Sequence, residues 1–128
     1  MSATNQIGWI EVGADRPEEA ERFYGQMFGW NFADDDDSVG PDGQPYRIVT
    51  GPGGGAPLGG FYGTGGKVPP QAIFMVLVAD TEAACRQAEA AGGKVLVGPQ
   101  REPSGLVFAR LADPAGTLFG VFTPPARP

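Results

Sequence analysis

An α+β chain built as two βαβββ modules is predicted by three features of the 128-residue sequence. Strand-like and helix-like segments run in the order βαβββ and then repeat that order. The equivalent first strands, at Trp9 and Ile73, lie half a chain apart, too far for a solenoid repeat and suited to a pseudo-twofold domain. The length is that of one ordinary domain, read as 1–128, with module 1 about 5–66 and module 2 about 70–123.

The elements follow in order. Residues 7–12 (IGWIEV) are apolar and β-prone. Asp15-Arg16-Pro17-Glu18 supplies a candidate N-cap with proline in the first turn. From Ala20, the residues Phe23, Tyr24, Met27 and Phe28 fall on one helical face and Gly29 stops the helix. A second strand begins at 30–33, the run Asp34–Asp37 with Gly40-Pro41-Asp42-Gly43 reads as a solvated turn, and 46–50 reads as the third strand. The six glycines in 51–60 are read as a flexible loop over a short fourth strand at 58–62. The pattern restarts with IFMVLV at 73–78, and Asp80 is the N-cap of a helix whose Thr81, Ala84, Cys85 and Ala88 share a face. Gly92-Gly93 ends it. Strands are expected at 94–97, 106–111 and 117–122, the last two joined by Asp113-Pro114-Ala115-Gly116, with a frayed tail from Thr123.

Composition narrows the chemistry. Gly (21) and Pro (13) mark a turn-rich domain, and the single cysteine excludes an internal disulfide. The start lacks a basic stretch and an apolar core, so a cytoplasmic location is expected, and no apolar run approaches a membrane span. The net charge of −6, without a basic patch, argues against nucleic acid or an anionic membrane as partner. Histidine is absent altogether, which removes the commonest metal ligand, the commonest general base and every Ser-His or Cys-His dyad.

Three segments carry a family likeness: IEVGADRPEEAERFYGQMFGW, LVADTEAACRQAEAAGGKV and ADPAGTLFGVF. In this order they resemble the vicinal oxygen chelate superfamily, the glyoxalase, bleomycin resistance protein and extradiol dioxygenase group. The resemblance implies a curved mixed sheet around a cleft, often completed by dimerisation, so a homodimer is expected. It also implies a divalent metal held at four strand positions. Carried over by spacing, these fall on Trp9, near Gly60 or Phe61, on Ile73 and on Gly120, none of which offers a donor side chain. A member without metal or other cofactor is therefore expected.

Strand alternation then predicts the cleft lining. Trp9 and Glu11 would face it from the first strand, with Gly8, Ile10 and Val12 against the helix; Ile73, Met75 and Leu77 from the fifth; Leu118, Gly120 and Phe122 from the last; with Phe61, Tyr46 and Phe108 added. Gly120 would leave floor for a ligand ring. Such a lining suits a flat apolar or aromatic molecule, as against plain core packing. Glu11 is the acidic residue of an otherwise apolar strand. Buried without a cationic partner it is a candidate general acid/base or ligand anchor; paired with Arg47 or Arg110 it is a structural ion pair. Cys85 and Tyr24 read as packing residues, the glycine stretch lacks a P-loop ending, and the aspartate run lacks EF-hand spacing.

The function expected is metal-independent binding of an aromatic or natural-product-like molecule, by sequestration, with Trp9, Phe61, Ile73, Met75, Phe108, Gly120 and Phe122 as ligand contacts. The alternative is a metal-free isomerase, cyclase or hydrolase in which Glu11, with Tyr46, moves protons. A third reading, a structural partner subunit, predicts a cleft filled by the protein's own side chains.

Overall fold

The structure, a computed structural model, describes residues 4–125. Its elements are β1 (Gln6–Ala14), α1 (Pro17–Phe28), β2 (Asn31–Val39), β3 (Pro45–Gly51), β4 (Gly54–Gly63), β5 (Gln71–Leu77), α2 (Thr81–Ala90), β6 (Lys94–Arg101), β7 (Val107–Ala112) and β8 (Leu118–Thr123). The doubled βαβββ order is thus as the periodicity predicts. The compact units divide differently from the expected modules. Residues 10–72 form a continuous unit, whereas residues up to Trp9 join those from Ile73 onward in a split unit. The Asn5 N–H donates to the Leu77 carbonyl (2.6 Å), and Gly8 lies beneath the Phe122 ring. That contact corrects the expectation that Gly8 faces a helix.

In the continuous unit the strand order is β2-β3-β4-β1, with β1 and β4 parallel and the other pairs antiparallel. Pro17 occupies the first turn of α1, and Gly29, in the left-handed conformation (φ 71°), ends it. Asp15 does not cap the helix: Arg16 holds the cap position without a side-chain cap hydrogen bond, and Asp15 instead accepts from the Thr64 hydroxyl. Tyr24 stacks on Trp30 (5.3 Å between centroids) and meets Phe61 edge-on (6.4 Å), while Phe32 meets Phe61 at 5.2 Å.

Two loop expectations are corrected here. The aspartates lie within β2, not in a turn, because backbone pairing of Asp34 with Arg47 and Asp35 with Tyr46 extends the ladder whatever the side chains. β2 ends the strand order, where charge discourages pairing with another chain. The register shifts between Asp35 and Val39, and the Asp37 N–H donates to Asp35 Oδ1 (3.0 Å). The glycine stretch is mostly strand too, since β4 begins at Gly54. Close approach explains part of it: a Cβ on Gly59 would strike the Ile10 carbonyl, and one on Gly60 the Tyr46 hydroxyl.

In the split unit the order is β5-β8-β7-β6, with β5 and β8 parallel. Asp80 caps α2 by accepting from the Ala83 N–H (3.1 Å). Cys85 packs with Val78, Ala109, Leu111 and Val121, flanked by Ala84 and Ala88. The turn at Asp113 is held by its Oδ1, which accepts from the Ala115 and Thr117 N–H groups. β8 runs through Thr123, one residue past expectation, and residues 126–128 of the supposed tail lie outside the described residues.

Candidate functional site

Register decides which residues share a face in the continuous unit. Val12 lies beside Phe61 and Glu11 beside Gly60, while on β3 Arg47 pairs with Phe61 and Ile48 with Gly60. Phe61, 1% exposed, points toward α1 and Tyr24. This corrects the expectation that Phe61 shares a face with Glu11. The ambiguity between Gly60 and Phe61 is a single residue, and one residue on a strand reverses the face. Gly60 is therefore the β4 residue on the Glu11 face.

On that face Glu11 is buried (6% exposed), and the Tyr46 hydroxyl donates to its Oε2 at 2.9 Å. The Tyr46 and Tyr62 rings lie near-parallel, 14° between planes and 6.4 Å between centroids. Gly60 makes room for the Tyr46 hydroxyl, and Gly13 for the Tyr62 ring. An acid, two phenols and two glycines thus form one cluster on adjacent strands. A carboxylate so held can accept a proton or a ligand hydrogen bond, with the phenol fixing its orientation. Sequence reasoning brought Glu11 and Tyr46 forward but missed Tyr62, whose signal was its spacing of two from Gly60.

Arg47 is excluded as the cation for Glu11. It lies on the α1 side, paired with Glu21 and, through Nε, with Asp34 Oδ1 (3.3 Å). Its pKa is raised above the usual arginine value chiefly by the hydrogen bond to Glu21. A depression of about 650 Å³ also opens on the α1 side, lined by Val12, Ala14, Arg16, Phe23 and Tyr24 among others, and does not include Glu11.

The split unit has its own face turned away from α2. Ala109 and Leu111 enter the α2 core, so Phe108 and Arg110 face the other way. Phe108 pairs with Phe122, Arg110 with Gly120, Met75 with Gly120 and Leu77 with Phe122. Ile73 and Met75 are buried, whereas Trp9, Phe108 and Phe122 are half-buried. The open floor expected at Gly120 is filled: a Cβ there would meet the Met75 methyl at 2.8 Å. Glycine here accommodates the protein's own thioether. Cys85 is buried, and its thiol pKa is pushed up by that burial.

Among the described residues no three His, Cys, Asp or Glu side chains gather closely enough to hold an ion. Nor is any helix among them long and apolar enough to cross a membrane.

These features define a glyoxalase-type fold, and comparison with known proteins places it. Residues 6–121 match the Glyoxalase/Bleomycin resistance protein/Dioxygenase superfamily, and the chain belongs to that family. It is 32% identical over 125 residues to CFP32 of Mycobacterium bovis and Mycobacterium tuberculosis, which carries a provisional glyoxylase name. That match covers 97% of this chain and 46% of CFP32, so the chain spans about half the length of these relatives. Among solved structures, methylmalonyl-CoA epimerase from Mycobacterium tuberculosis has a TM-score of 0.64 at 16% identity, covering 98% of this chain and 91% of that one. The Mn(II)-bound glyoxalase from Novosphingobium aromaticivorans has a TM-score of 0.60 at 12% identity, covering 92% of this chain and 37% of that one. Both are likenesses of fold.

Proposed function

We propose that this chain is a metal-independent binding protein for a small aromatic or natural-product-like molecule, acting by sequestration as a cytoplasmic homodimer. The observation that carries the reading is the chemistry at the positions where the family's enzymes hold metal. Trp9, Gly60, Ile73 and Gly120 present indole, alkyl or no side chain, amid aromatic and thioether neighbours. Apolar surface of this kind gains about 25 cal/mol for each Å² of ligand it covers.

A second reading is supported by the Tyr46–Glu11 hydrogen bond. In a metal-free enzyme Glu11 would take a proton from the substrate and return it elsewhere, while Tyr46 holds the carboxylate in place. The glyoxylase name of CFP32 agrees with an enzymatic role, though with chemistry that Glu11 would have to perform without a metal.

Thermal unfolding with a divalent-metal panel, with EDTA and with a library of aromatic compounds tests the first reading. The expected result is no response to metal or chelator and a rise in Tm with at least one aromatic compound. Stabilisation by a metal, lost with EDTA, would overturn it. Glu11→Gln separates the two readings: a binder loses affinity and never forms product, whereas an enzyme loses turnover and keeps its substrate.

A further inference from the structure

We propose that the exposed flank of α1 is the surface on which two copies of this chain pair, antiparallel, about a two-fold axis at Phe23. The inference rests on the homodimer reading above and names its interface. α1 carries more apolar side chains than its own sheet covers. Tyr24 turns inward to Trp30 and Phe61, but Phe23 and Met27, one turn apart on the helix, each leave more than half of their surface in water. Large apolar residues left in a row on the outside of a helix mark a face that another surface covers.

The same flank holds the depression of about 650 Å³, whose helical wall is Arg16, Glu19, Ala20 and Phe23. The depression lies beside the first two turns of α1, whereas Met27 stands in the last. A hollow and a projection on one surface, displaced to either side of Phe23, are exchanged by a two-fold rotation about that residue. Ala20 and Met27 are three and four residues from Phe23, about 5–6 Å along the axis in opposite directions. Met27 of each copy thereby enters the hollow of the other beside Ala20, and the Phe23 rings meet at the axis.

Charge selects the antiparallel sense. Glu18 and Glu19 lie in the first turn of α1, and the last turn, Gly25 to Phe28, is uncharged. Parallel pairing would set the acidic turns of both copies side by side; antiparallel pairing sets each against an uncharged turn and opposes the two helix dipoles. At about 200 Å² for a large side chain, Phe23, Met27 and the adjoining Phe28 leave roughly 300 Å² of apolar surface on each copy. Doubled, and joined by the walls of two hollows, this supplies the apolar centre of an interface at the lower end of the specific range, about 1,200 Å² in total.

Sedimentation velocity of the full chain over a wide concentration range tests this. The wild type is expected to sediment as a pair. Met27→Glu is expected to raise the dissociation constant about a hundredfold or more, since the hollow would have to take up an unpaired carboxylate. Ala20→Trp, which fills the hollow from within without adding charge, is expected to separate the pair as well. Leu96→Glu, at an exposed apolar residue of β6, is expected to leave it intact. Circular dichroism and Tm establish that each variant is folded; the loss at Met27 falls on association, because in the single chain that side chain is already at the surface. A folded Met27→Glu or Ala20→Trp variant that pairs as tightly as the wild type, or an equal loss of pairing in Leu96→Glu, would overturn this inference and leave the homodimer reading standing. A wild type that stays a single chain at every concentration would remove both.

Discussion

The two units share one topology and solve helix packing in opposite ways. α2 buries only small residues, Thr81 and Cys85, and Cys85 packs with Ala109, Leu111 and Val121. α1 presents Phe23, Tyr24, Met27 and Phe28, yet none of its residues is buried, and Phe23 and Met27 are 56% and 58% exposed. It is held by Tyr24, which stacks on Trp30 and meets Phe61 edge-on, and by the Glu21–Arg47 ion pair. Small side chains let a helix approach a sheet closely; large aromatics hold it off and leave their outer surfaces wet. A βαβββ module therefore specifies the route of the chain but not the depth of its core.

The faces turned away from the helices differ as well. The continuous unit carries an acid hydrogen-bonded to a phenol, and the split unit carries a cation over a ring in an apolar wall.

The difference in packing can be broken most severely at the ring on which α1 depends. Phe61→Ala should cost about 3–5 kcal/mol in denaturant unfolding, the range for a buried phenylalanine. Phe23→Ala, on the wet side of the same helix, should cost under about 1 kcal/mol. Equal losses would mean that α1 is as deeply packed as α2.

Helix starts give a smaller contrast. Asp80→Ala removes the hydrogen bond to the Ala83 N–H and should cost about 1 kcal/mol. Arg16→Ala should change stability by less than about 0.5 kcal/mol, because the pair with Glu19 is exposed and no side-chain cap is lost.

The smallest effect is in alkaline solution. Burial raises the Cys85 thiol above its ordinary value of 9.0, so the native state holds this proton more tightly than the unfolded chain. The resulting stability is fully present below the unfolded pKa and is lost as pH rises through the folded one. Unfolding midpoints measured upward from pH 8 should decline for the wild type more than for Cys85→Ala; identical slopes would show that the thiol does not report on the α2 core.

Local signals reached far in this chain. Gly29 ends α1, Asp80 begins α2 and Asp113 ties the last turn, each because one residue supplies a backbone conformation or a hydrogen bond within its own segment. The same logic failed at Asp34–Asp37 and at Gly54–Gly60, where polar or side-chain-free residues are drawn into strands by neighbours distant in sequence. Asp15 looked like a cap and serves Thr64 instead, a partner 49 residues away.

The candidate site was legible in kind and not in arrangement. Periodicity and the three family-like segments were enough to determine the doubled βαβββ order, and composition alone removed all histidine chemistry. Which side of β4 Glu11 would meet depended on a one-residue register, because alternation carries no absolute phase until neighbouring strands are paired. Tertiary structure alone decided that Tyr46 reaches Glu11, that Phe61 belongs to the core and that Met75 fills the space at Gly120. Each is a contact between separate strands or between a strand and a helix, and no single segment holds both of its partners.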